Sequence, residues 1–385
     1  MKSFGWILIV LMAASPAWAG KKITVGQLED LLHSLQQAKK ADSDIAGELK
    51  QVELTEELTR SVMNSLLRES PGPYSTEQIY VLEARSAILA PPASDLPATP
   101  APDAATQKAI LDKAIAYATT TYAVLPPLTA MKTTLRFQDN MEAVAASSGM
   151  HSGAALSDAK LGVASPYIQY INSVETPASF QNGAEQVTVP KDKGRWGANG
   201  QIALFEQGPI LTNVLQEAQA AGKVNWLRWE TIEGNVAAVY AFSVDKKKTH
   251  YAVNYCCFPD LEQAGVIHTS RESGPSLSQS VSGNFQTATS WKNFKEIKPY
   301  HGEIFVEPSS GVVVRLITQA EFKATDVVQR EDERVDYGPV KVGDKTLVLP
   351  INSIINTEVV PTGDSGAGKY TIRHTLFTTQ YKDYK

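Results

Sequence analysis

Val236-Ala237-Ala238-Val239-Tyr240-Ala241-Phe242-Ser243-Val244-Asp245-Lys246-Lys247-Lys248-Thr249-His250-Tyr251-Ala252-Val253-Asn254-Tyr255-Cys256-Cys257 holds two alternating runs around a charged turn. Val236, Ala238, Tyr240, Phe242 and Val244 share one face of the first run. Thr249, Tyr251, Val253, Tyr255 and Cys257 share one face of the second. A period of two marks a half-buried strand. With Asp245 to Lys248 as the turn, the stretch predicts a β-hairpin and an antiparallel sheet.

The same pattern extends in both directions. Gly302 to Val306, a turn at Pro308 to Gly311, and Val312 to Ile317 predict a second hairpin. Val340 to Val342, a turn at Gly343-Asp344, and Lys345 to Leu349 predict a third. Tyr370 to Tyr381 reads as a final strand, with Ile372, His374 and Leu376 alternating against Arg373, Thr375 and Phe377. Upstream, Leu135 and Phe137 alternate with Thr134, Arg136 and Gln138, a half-buried strand. Tyr167 to Val174 and Ile202 to Phe205 are shorter strand candidates. Gly208-Pro209 precedes a helix from Ile210 to Ala221, stopped by Gly222. Residues 142–165 and the Ser/Gly-rich 270–290 read as loops. No βαβ alternation occurs, which excludes a doubly wound fold.

The N-terminal part has a helical period instead. Thr24 and Gln27 form a capping box before the stripe Leu28, Leu31, Leu32 and Leu35. Ile45, Leu49 and Val52 predict a second helix. Thr55 caps a third carrying Leu58, Val62, Leu66 and Leu67, which Pro71 and Pro73 end. Ser75 or Thr76 starts a fourth with Ile79, Leu82 and Ile88. Five prolines between Pro91 and Pro102 then enforce an extended connector. Ala104 to Val124 reads as one longer helix. The expected organisation is a helical subdomain over 20–90, a connector over 91–103, and a helix plus sheet domain over 104–385. The fold class is α+β: an N-terminal helical bundle, then a large curved, half-barrel-like antiparallel sheet with a covering helix.

Residues 1–19 have a different logic. Met1-Lys2 is positive, Phe4 to Ala14 is apolar, and Ala17-Trp18-Ala19 is a small-x-small site. That is the layout of a secretory signal peptide, too short to span a bilayer. It predicts export to the periplasm or the exterior, with no transmembrane segment after cleavage. The 385 residues carry a net charge of -5, so no global basic field favours nucleic acid.

Several motifs imitate chemistry. Gly363 to Lys369 fits the phosphate loop, but Tyr370 stands where Ser or Thr must hold magnesium. Gly363-Asp364-Ser365-Gly366 matches a protease nucleophile motif, but Ala367 replaces the next glycine and no histidine has the required setting. Ser157 to Lys160 fits Ser-x-x-Lys without its partner motifs. His301 and Glu303, two apart on a strand, are weak metal candidates that need a third ligand from His250 or His268. No cofactor is expected. The adjacent Cys256 and Cys257 leave three readings open: two buried free thiols, a vicinal disulfide across a kinked peptide, or a redox or metal thiol.

Thr249 to Cys257, Tyr300 to Ile304, Tyr337-Gly338-Pro339-Val340 and Leu376 to Tyr381 resemble an uncharacterised family of large secreted bacterial proteins. Gln27 to Leu35 and Leu54-Thr55-Glu56 fit the same family, which implies no activity. The architecture is distantly similar to lipoprotein-carrier half-barrels. The expectation is therefore a non-enzymatic exported protein that binds an apolar ligand or a lipidated partner. Tyr240, Phe242, Tyr251, Val253 and Tyr255 are the candidate lining. The same face also serves as an ordinary core beneath helix 104–124. The alternatives are an envelope scaffold docking another protein through its helices, and a hydrolase.

Overall fold

The computed structural model describes residues 20–138, 168–186, 210–259, 291–326, 328–359 and 373–385. The signal-like segment, the loops 142–165 and 270–290, the strand candidate at 202–205, His268 and the three imitative motifs lie outside them. So do the side chains of Tyr255, Cys256 and Cys257.

The N-terminal segment opens with β1 (Lys21–Ile23) and α1 (Val25–Gln37), followed by α2 (Asp42–Leu49) and β2 (Val52–Leu54). Then come α3 (Arg60–Glu69) and α4 (Pro73–Ser86). The capping box forms as read: Thr24 accepts from the Gln27 amide, and the Gln27 side chain accepts from the Thr24 amide. Three boundaries differ from expectation. Val52 is not on the α2 stripe, because residues 52–54 pair in parallel with 21–23. Thr55 therefore hydrogen-bonds the Ile23 carbonyl, and Thr59 stands at the N-cap of α3. Pro73 begins α4 instead of ending α3; a first-turn proline forfeits no helical hydrogen bond. Asp42 caps that turn, accepting from the Tyr74 and Ser75 amides at 2.9 and 3.0 Å. Leu28, Leu32, Ile45, Leu49, Leu58 and Ile79 close a buried cluster within this segment.

The connector holds a 3-10 turn, Ala93–Asp95, and its Pro100 carbonyl accepts from Trp229 Nε1 at 3.0 Å. Next is α5 (Ala104–Thr120), capped by Asp103, with a 3-10 turn at Tyr122–Val124. The strands β3 (Leu128–Gln138), β4 (Gln169–Gln181) and β5 (Ala184–Glu185) follow. Helix α6 (Leu211–Ala221) ends at Gly222, whose φ of 68° supplies the left-handed cap. Then come β6 (Val224–Ile232), β7 (Asn235–Val244), β8 (Ala252–Pro259), β9 (Trp291–Ile297), β10 (Tyr300–Val306) and β11 (Val313–Ala320). The last three are β12 (Val328–Val342), β13 (Lys345–Val359) and β14 (Arg373–Lys382).

Ten strands form one sheet, ordered β5-β4-β3-β14-β13-β12-β11-β10-β7-β6, and it is antiparallel and not closed. The expected hairpins β10–β11 and β12–β13 are present. The hairpin expected between 236–244 and 249–257 is not. Strand β7 pairs with β6 across Glu233-Gly234, and with β10 on its other side. Glu233 and Gly234 have φ of 48° and 83°. Positive φ at both central residues suits the twist of a two-residue hairpin. With both edges of β7 taken, β8 pairs with β9 in a separate two-stranded sheet. That ladder slips register between Tyr255 and Phe258, where the backbone of Cys256 and Cys257 lies.

Helices meet both faces of the large sheet. Val81, Ala84 and Ala87 of α4 cluster with Phe137, Ile354 and Leu376. The alternate neighbours Ile355 and Phe377 cluster with Ile110 and Ala114 of α5 and Val214 of α6. The half-buried alternation read for β3 is thus corrected: Arg136 and Gln138 are as buried as Phe137. Alternation separates two faces without saying that one of them is wet.

Charges also join the N-terminal segment to the sheet. Arg334 and Arg315 Nη1 both donate to Glu57 Oε1, at 2.7 and 3.0 Å. Arg315 Nε and Arg334 Nη2 hold Asp336 at 2.7 and 3.0 Å. Arg60 reaches Glu83 at 3.4 Å and Asn352 of β13 at 3.0 Å. Burial alone would raise the Asp336 carboxyl, but the two guanidiniums outweigh it and hold it below the usual carboxylate range. Burial pushes Glu83 up, only partly offset by Arg60 and Arg334.

Candidate functional site

The expected aromatic lining is packed. Tyr240, Phe242, Tyr251 and Val253 are buried in the cluster that α5 and α6 join. Tyr240 meets Trp226 edge-to-face at 5.5 Å, and its hydroxyl donates to the Gln107 carbonyl of α5 at 2.6 Å. Phe242 and Tyr251 meet Tyr300 in T-shaped contacts at 5.7 and 5.3 Å. The Tyr251 hydroxyl donates to Glu331 at 2.6 Å. Each ring fills space for the next, which is how an interior reaches solid-like density.

The weak metal pair is engaged elsewhere. Glu303 accepts from Arg228 Nη2 at 2.8 Å and Nη1 at 3.3 Å. His301 Nδ1 lies 3.2 Å from Glu321, and His250 is drawn to Glu217 at 2.8 Å. Among the described residues, no group of three metal-ligating side chains forms. No described helix is long and apolar enough to cross a membrane.

A concave feature lies on the opposite face. A cavity of about 280 Å³ opens between β2, α4 and the strands β12–β14. Its apolar lining is Val52, Leu54, Leu82 and Leu89. Its polar side is a row across three strands: Arg330 faces Glu358 in register, and Glu358 faces His374. Strand pairing alone brings these three together, because register partners point to the same face. Arg330 Nη1 donates to Glu358 at 3.2 Å, and its Nε to Asp332. His374 Nε2 donates to Asn356 Oδ1. Burial, reinforced by the positive Arg330 and Arg85, pulls the His374 imidazole down to about 3, so it is neutral at pH 7.

Arg85 completes the lining from the last turn of α4, and it is exposed. It has no carboxylate partner among the described residues. Ser86 is structural: its hydroxyl donates to the Leu82 carbonyl at 2.8 Å and accepts from the Leu58 amide at 3.0 Å. These lining groups can bind and orient a ligand.

Sequence reading missed Arg85, Arg330, Asn356 and Glu358, which carry no local signature. His374 was missed as well, although its place between Ile372 and Leu376 on an alternating strand was a signal that could have found it. No protein-family model matches the chain, and neither a curated protein nor a solved structure is similar to it.

Proposed function

We propose that the chain is an exported, non-catalytic binding protein that takes a small amphiphilic carboxylate between its N-terminal helices and its sheet. Export rests on the signal-like layout of Met1 to Ala19. In this reading the four helices act as a bundle walling one side of the site, and α5 covers the other face of a curved sheet. The carrying observation is an unpaired cation, Arg85, at the rim of a cavity lined by Val52, Leu54, Leu82 and Leu89. Arg330 and the neutral His374 add polar contacts on the sheet side. A carboxylate at Arg85 gains a charge-assisted hydrogen bond while its tail covers the leucines. The volume is at the small end for ligand pockets, which suits a short chain. The apolar ligand expected at the aromatic face is reassigned here, because those rings already pack against one another.

Calorimetric titration with hexanoate at pH 7 tests this. Binding is expected, weakened about tenfold by Arg85→Ala, the scale of one charge-assisted hydrogen bond. Hexylamine is expected not to bind. A blank with wild-type protein, or an Arg85→Ala variant that binds as tightly, overturns the proposal.

A further inference from the structure

On the other face of the sheet, away from the cavity, strands β4, β3 and β14 carry a second polar group. Arg136 of β3 faces Asn172 of β4 on one side and Phe377 of β14 on the other. Two residues along, Gln138 faces Thr375. Register partners share a face, and so do residues two apart on a strand, so these side chains form one patch.

The patch is dry and unsatisfied. Arg136 is 3% exposed, Gln138 1% and Thr375 2%. Arg136 Nε and Nη1, Gln138 Nε2, Thr375 Oγ1 and Asn172 Oδ1 are buried without a hydrogen-bond partner. The contact the structure gives the guanidinium is with the Phe377 ring, 5.6 Å from its centroid. No described carboxylate pairs with it. Burial is the sole cause of its lowered pKa, about 10, which still leaves it charged at neutral pH. A buried cation without a counter-ion is costly, and arginine cannot escape by losing its proton.

Three orphaned donor groups and one orphaned acceptor on one patch define a complementary ligand. We infer that Arg136, Gln138, Thr375 and Asn172 form an oxyanion site whose ligand also carries a hydroxyl group. The oxyanion accepts from the guanidinium, the Gln138 amide and the Thr375 hydroxyl, and the ligand's own hydroxyl donates to Asn172 Oδ1. Hydrogen phosphate and a small hydroxycarboxylate both meet this description. The site is independent of the hexanoate cavity: its residues lie on the opposite face of β14, where Thr375 follows His374.

The test is thermal unfolding at pH 7 in phosphate, lactate or chloride at matched ionic strength. Wild type and Arg85→Ala are both expected to melt several degrees higher in phosphate or lactate than in chloride, since a ligand of the native state raises Tm by mass action. Phosphate and lactate arms separate the two ligand sources. Arg136→Met is expected to lose that response and to melt above wild type in chloride. Should Arg136→Met not fold, the double variant Gln138→Leu and Thr375→Val tests the same patch, with an apparent Kd about tenfold weaker. A wild-type Tm identical in all three anions overturns the inference, as does an anion response retained in Arg136→Met or undiminished in the double variant.

Discussion

Arg334 and Arg136 occupy the same ten-stranded sheet, both almost fully buried, on opposite faces and with opposite electrostatics. Arg334 is held by Glu57 and Asp336, and Arg315 shares both partners. Arg136 has an aromatic ring and unpaired amide and hydroxyl groups. Burial alone therefore does not define a structural charge. One guanidinium has its counter-charge built into the chain, delivered by the N-terminal segment. The other presents the same chemistry with no counter-charge among the described residues, which is what the proposed oxyanion site rests on.

The most damaging way to break the comparison is Glu57→Gln. It leaves Arg315 and Arg334 under-compensated, and a loss of about 3–5 kcal/mol is expected on removing one partner of a buried ion group. Chemical denaturation measures it, and a loss under about 1 kcal/mol would mean that this joint holds little. Arg136→Met is the mirror experiment, with an expected gain on the order of 1 kcal/mol in chloride. A loss would show that the guanidinium's contact with the Phe377 ring and its packing outweigh the cost of the buried charge.

Acid sharpens the contrast differently. The folded pKa of His374 is depressed to about 3 from an ordinary value near 6.5. Its contribution is complete above about pH 6.5 and is lost as pH falls towards 3, because only the unfolded chain takes up the proton there. The slope is at most about 1.4 kcal/mol per pH unit for one proton. Denaturation midpoints between pH 4 and 7 should fall less steeply in His374→Gln; equal slopes would place the acid sensitivity elsewhere. The smallest effect belongs to Lys108→Ala, which removes an exposed pair with Asp112 on α5. A change below about 0.5 kcal/mol is expected, and a larger one would show that surface pairs matter here as much as buried ones.

What was legible in the sequence was local. The Thr24–Gln27 capping box, the Gly222 stop and the Gly343 turn each act within a few residues, and each is found where its chemistry put it. Partner choice was not local. The alternating run 249–257 has the right period to pair with 236–244, but β10 and the Glu233-Gly234 turn claim both edges of β7. The cavity was illegible for the same reason: Arg330, Glu358 and His374 become neighbours only through register. Arg136 was visible as one polar beat of an alternating strand. Its burial depended on a second layer that β3 does not encode.

The place of β14 has a consequence for how the chain is made. It lies between β13 and β3, so residues 373–382 are the seam joining β3–β5 to the six strands β6, β7 and β10–β13. A ribosome that has finished β13 has produced two sheet fragments with no common edge. Each presents an unpaired strand that invites wrong partners. The seam closes only after residues 373–382 are made, and its pairing with β3 spans most of the chain, a contact that costs time in folding. A stall or a nick just before residue 373 would therefore split the sheet in its middle, where trimming an edge strand would merely narrow it.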